Sequence, residues 1–103
     1  MDFLIFRPGV SEEESIKIIK DKIVDLSEKD DIKLIVDIQS DYFGSKVFKE
    51  FVELHNSLKE KNFLVAMICN EILLKTMLLN VLQLEPRPEI FSTSAQAEQW
   101  IMR

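Results

Sequence analysis

Apolar residues in this chain fall into four short, nearly continuous runs, and each run is followed by a longer segment whose apolar positions recur with helical spacing. Phe3-Leu4-Ile5-Phe6 is the first run, and Pro8-Gly9 closes it with turn chemistry. Ser11 then predicts the start of a helix. Glu14 stands three residues on as in a capping box, and Glu12 and Glu13 suit the positive helix end. Ile16, Ile19, Ile23 and Leu26 form one apolar stripe, with Lys17, Lys20, Asp21 and Lys22 between them. Residues 27–31 are polar and predict a connection. Leu34-Ile35-Val36-Asp37-Ile38 reads as the second strand, apolar enough to be covered on both faces.

A second helix is expected to begin at or just after Ser45, with Ser45 read as a plain N-cap or as a switch residue, because Val47, Phe48, Phe51, Val52, His55 and Leu58 share a face. Lys46 and Glu50, and likewise Lys49 and Glu53, are opposite charges four residues apart on its wet side. The run from Phe63 through Ile68 is the most hydrophobic in the chain and predicts a central strand. Asn70 is placed to cap a helix over residues 71–82 that carries more apolar surface than one sheet face requires, so part of it is free to meet a partner. Pro86 and Pro88 end that unit. Glu89-Ile90-Phe91 predicts a short last strand, and Thr93 with Gln96 caps a final helix holding Ala97, Trp100 and Ile101. Strands alternating with helices of this length predict an α/β fold, a small, mainly parallel four-stranded sheet in βαβαβαβα order.

Length and composition narrow the functions such a frame can serve. With 103 residues and 47% apolar content, the chain is expected to form a single domain over residues 1–103. Thirteen basic against eighteen acidic residues give a formal charge of −5, and no segment concentrates Lys and Arg, which argues against nucleic-acid and anionic-membrane binding. The apolar start is too short for a signal-peptide core and no run approaches a membrane span, so the expected location is the cytoplasm, with no direct membrane insertion. One cysteine and one histidine exclude an internal disulfide and the usual Cys/His zinc patterns.

Catalytic and cofactor motifs are absent in the same way. The two glycines, Gly9 and Gly44, cannot supply a dinucleotide or phosphate-binding loop. Arg7-Pro8-Gly9 stands where a phosphate-accepting receiver domain would carry its acidic pair, and Cys69 is followed by Asn70, Glu71 and Ile72 instead of a second cysteine. No cofactor is expected. His55 lies on an apolar stripe and reads as a core or boundary histidine ahead of a catalytic base. Cys69 reads as a small buried hydrophobe, although the helix start beyond it offers a route to a lowered pKa. Asp37 interrupts an apolar strand and must be satisfied by backbone amides or sit at a strand end. Tyr42 and Phe43 are read as anchors of the strand-to-helix turn, or else as exposed contacts for a partner.

From Leu34 onward the chain resembles the STAS domain, the fold of sulfate transporters and anti-sigma-factor antagonists. The strings that carry the resemblance are Leu34-Ile35-Val36-Asp37-Ile38, the turn Phe43-Gly44-Ser45, the following helix from Phe51 through Lys59, the helix from Asn70 through Leu82, and Ile90-Phe91-Ser92-Thr93-Ser94-Ala95-Gln96-Ala97. About two thirds of the chain is covered, through a pattern of elements and without a catalytic signature. The resemblance implies a non-enzymatic protein-binding switch, a monomer or weak homodimer, whose protein partner is an anti-sigma factor with serine-kinase activity. It also implies that Ser45 occupies the place of the phosphorylated serine and that Asp41, Tyr42, Phe43, Gly44, Ser45, Lys46 and Lys49 face the partner. The family's turn reads Asp-Ser-Ser-Gly, whereas here Gly44, Lys46 and Val47 replace the Asp, the second Ser and the Gly. Those departures point as well to the alternative use of such domains as non-phosphorylated subunits of lipid-transport or stress-signalling assemblies. A small ligand-binding or enzymatic domain using Asp37, His55 or Cys69 is the remaining reading.

Overall fold

The computed structural model describes residues 1–40 and 43–103. Four strands, β1 (Asp2–Phe6), β2 (Asp31–Ile38), β3 (Asn62–Ile68) and β4 (Glu89–Phe91), alternate with four helices, α1 (Glu12–Leu26), α2 (Ser45–Leu58), α3 (Glu71–Val81) and α4 (Ser94–Ile101). The strands form one all-parallel sheet in the order β1-β2-β3-β4. The α/β class, the parallel sheet and the alternating order are therefore those the pattern predicts.

Spatial order follows chain order, and that decides where the helices go. Each of the three crossovers steps in the same direction, and right-handed connections that all step one way place their helices on one face. Accordingly Ile19 and Leu26 of α1, Phe51, Leu54 and Leu58 of α2, and Leu73, Met77 and Val81 of α3 pack with Leu34, Val36, Val65 and Met67 in one core. Helix α4 follows the last strand and crosses nothing, so no handedness rule binds it. It covers the opposite face, where Ala97 and Ile101 meet Ile35, Ala66 and Ile68.

Local chemistry fixes the ends of these elements. Ser11 Oγ accepts from the Glu14 amide at 3.1 Å, Asn70 Oδ1 from Leu73 at 2.8 Å and Thr93 Oγ1 from Gln96 at 3.3 Å. The Gln96 side chain, however, accepts from the Ser92 hydroxyl at 3.0 Å. Strand β2 begins at Asp31, earlier than its apolar run suggests, because Asp31 and Lys33 alternate with the buried Ile32 and pair with Asn62 and Leu64 of β3. A polar residue in a two-period alternation is the solvent side of a strand, so residues 27–30 form the expected connection and only Asp31 belongs to the strand. Lys61 Nζ then donates to the carbonyls of Ser27 at 2.9 Å and Lys29 at 2.5 Å, tying the end of α1 to the start of β3. Among the described residues no helix is long and apolar enough to cross a membrane.

Candidate functional site

The turn singled out in the sequence leads from β2 into α2. Asp41 and Tyr42, two of its candidate residues, lie outside the described residues. Phe43 is half-buried and acts as an anchor. Its ring meets Phe6 edge-on with centroids 5.2 Å apart, and Phe48 and Phe51 at 6.2 and 6.5 Å. Edge-to-face rings at these separations attract beyond their buried area, so the turn is held to β1 and to the second turn of α2. Gly44 is buried and serves as the N-cap, in an extended conformation (φ −64°, ψ 163°) open to any residue.

Ser45 is therefore the first residue of α2 and not its cap, one position later than a capping serine would stand. The consequence is electrostatic. Caps from Ser11, Asn70 and Thr93 satisfy an amide at the start of α1, α3 and α4, whereas α2 has no side-chain cap and no acidic residue in its first turn. Its positive end instead carries Lys46, with Lys49 one turn further on, and both are exposed beside exposed Ser45. Two cations near a helix N-terminus cost the helix a few tenths of a kcal/mol, on a chain of net charge −5. The Lys46–Glu50 and Lys49–Glu53 pairs expected from spacing are not among the ion pairs of the described residues, which are Lys29–Asp2 at 2.9 Å and Lys22–Asp25 at 3.8 Å. Glu50 turns inward, with Oε2 buried and without a hydrogen-bond partner, so it cannot neutralise Lys46 from outside.

Beside this turn, Phe6, Arg7, Ser40, Phe43 and Val47 line a cleft of about 50 Å³, room for a water or two. The sheet has no point at which strand order reverses, the feature that opens a ligand crevice at the carboxyl ends of parallel strands.

The three residues considered for chemistry are dispersed. His55 is fully buried between the rings of Phe51 and Phe63, at 6.0 and 5.1 Å, and its Nε2 donates to the Pro86 carbonyl at 2.5 Å. The carbonyl can only accept, which assigns the proton to Nε2, and Nδ1 is buried and unpartnered. Burial pushes the imidazole below its ordinary value of 6.5, against the opposing pull of the Pro86 carbonyl and of Glu85. Cys69 is buried at the end of β3, and burial raises its thiol pKa, so the route to a lowered value through the start of α3 is not taken. Asp37 projects from the α4 side of β2, opposite the face that buries His55 and Cys69, and accepts from Gln39 Nε2 at 3.1 Å. No group of three or more His, Cys, Asp or Glu is placed to hold a metal among the described residues.

Helix α3 exposes Ile72 (68%) and Leu79 (77%) together with Leu78 and Leu82, the surplus apolar surface its sequence predicts. The anchoring of the turn by Phe6 and the tie from His55 to Pro86 join positions far apart in the chain, and no local pattern signals either. Comparison with protein-family models, curated proteins and solved structures finds no match.

Proposed function

We propose that this chain is a non-enzymatic, cytoplasmic interaction module of the STAS type, acting as one domain, which binds a regulatory protein through the 41–46 turn and the exposed side of α2. The observation that carries the reading is the start of α2: Ser45, Lys46 and Lys49 stand exposed in the first turns of a helix with no side-chain cap, just after Phe43 packs on Phe6. An exposed pair of lysines fits an acidic surface on a partner, and charge of this kind steers encounter and fixes register. An anti-sigma factor with serine-kinase activity is the partner that the STAS resemblance implies, and Ser45 is the residue it would modify. A phosphate at the first position of α2 would meet amides that no side chain caps, so the fold would tolerate it. Next to a partner's acidic surface the same phosphate would repel.

Charge reversal tests the surface. Lys46→Glu is expected to release the partner in co-purification while leaving the circular dichroism spectrum unchanged; retention of every partner would refute this binding face. Incubation with candidate kinases and ATP, followed by mass spectrometry, tests the switch, with modification at Ser45 expected. Protein that stays unmodified yet binds would remove the switch and keep the module.

A second reading rests on α3. Its exposed Ile72, Leu78, Leu79 and Leu82 suit permanent burial in a larger assembly, the use in which such a domain needs no phosphorylation. Loss of association on changing Ile72 and Leu79 to Ser, with Lys46→Glu silent, would favour it.

A further inference from the structure

The two edges of the sheet are treated differently. Strand β4 has three residues, includes Glu89 and follows directly on Pro88, the short, charged and proline-flanked form that blocks further pairing. Strand β1 has five residues, DFLIF, with no proline or lysine, and nothing among the described residues pairs with its outer edge. Its one charge, Asp2, is held by Lys29 Nζ at 2.9 and 3.1 Å.

The free edge has a definite pattern of donors and acceptors. The Phe6 carbonyl accepts from the Gln39 amide, and Phe6 pairs with Ile38, so Phe6, and by alternation Leu4 and Asp2, turn their backbone groups toward β2. Phe3 and Ile5 therefore point their N–H and C=O groups outward. Their side chains lie on the α4 side of the sheet, where the core under α4 is built from Ile35, Ala66 and Ile68 of β2 and β3, and Phe3 is 41% exposed.

We infer that β1 pairs antiparallel with β1 of a second copy of this chain about a twofold axis at Leu4, extending the sheet across two molecules. This register places Phe3 opposite Ile5 of the second copy and Ile5 opposite its Phe3. Both are hydrogen-bonded pairs, so the four outward N–H groups of the two strands all find carbonyls. The same pairs set an aromatic ring against a β-branched side chain on the face that α4 leaves open. An arbitrary extended peptide would satisfy the backbone groups, but the match of Phe3 to Ile5 in both directions is a property of the strand with itself. The groove along this edge is lined by Phe3, Leu4 and Ile18, with Lys22 paired to Asp25 at 3.8 Å and Asp21 beside them on the α1 rim.

Sedimentation equilibrium between about 10 μM and about 1 mM, a range that brackets weak association, is expected to show a dimer forming with concentration. Ile5→Pro removes an outward N–H and nothing from the β2 ladder, and Phe3→Lys puts charge in the seam. Each is expected to give a monomer with an unchanged far-ultraviolet spectrum. In the native chain, amide exchange at Phe3 and Ile5 should slow as the dimer forms while Leu4 and Phe6 stay protected throughout. A monomer at the top concentration would overturn the proposal, as would a dimer in which the Phe3 and Ile5 amides still exchange freely. If a variant unfolds, the exchange pattern of the native chain decides alone.

Discussion

The two faces of the sheet bury apolar surface in unequal ways. On one, three helices cover all four strands and enclose Phe51, Leu54, Leu58, Leu26 and Ile19 with almost no exposure. On the other, a single eight-residue helix meets Ile35, Ala66 and Ile68 and leaves Phe3 and Leu64 part in water. The first face is a core that can hold a fold. The second is a half-covered surface whose remaining apolar residues are available for association, and the difference arises from connection geometry as much as from composition.

Substitutions on either side of the sheet put that contrast at risk. The largest loss is expected for Phe51→Ala, about 3–5 kcal/mol by urea denaturation, since the ring is fully enclosed and shares edges with Phe43 and Phe48. Ile101→Ala empties an equally buried position under α4, but a thin layer collapses more readily, and about 2–3 kcal/mol is expected. Equal losses for the two would erase the distinction between the faces. His55→Phe keeps an aromatic ring between Phe51 and Phe63 but strips the Pro86 carbonyl of its donor, at a cost of about 1–3 kcal/mol. The same change has a signature in pH. Because the folded imidazole titrates below 6.5, the unfolded chain binds the proton first, so the native chain loses stability as pH falls beneath 6.5 and His55→Phe should lose less over that interval. Denaturant midpoints that fall in parallel for both proteins would show that His55 is not the group responsible. Smallest of all, Ile72→Ser on the outer side of α3 should shift stability by no more than about 0.5 kcal/mol, because the side chain is 68% exposed.

Much of this organisation is legible in the sequence, for stated reasons. The caps at Ser11, Asn70 and Thr93 are local chemistry, and the strands of residues 63–68 and 89–91 are apolar runs bounded by turn residues. What escapes a linear reading depends on distance in the chain. Asp31 joins β2 where Asn62 lies beside it, and the cap of α2 falls on Gly44 and not on Ser45, next to a Phe43 that packs on the distant Phe6. The side of the sheet that α4 covers is likewise invisible, since a terminal helix obeys no crossover rule. Of the candidate site, the exposure of Ser45, Lys46 and Lys49 follows from helical phase, whereas the inward turn of Glu50, away from Lys46, does not.

A sheet whose strands lie side by side in the order they are encoded has a consequence for how it is made. No later strand must wedge between two that have already joined. As the chain leaves the ribosome, β2 meets β1, β3 meets β2, and each arriving helix closes over the pair just formed. Growth is vectorial and its contacts stay comparatively short in sequence, which favours rapid assembly for a parallel sheet. The short, proline-flanked β4 then comes last and stops the addition of strands.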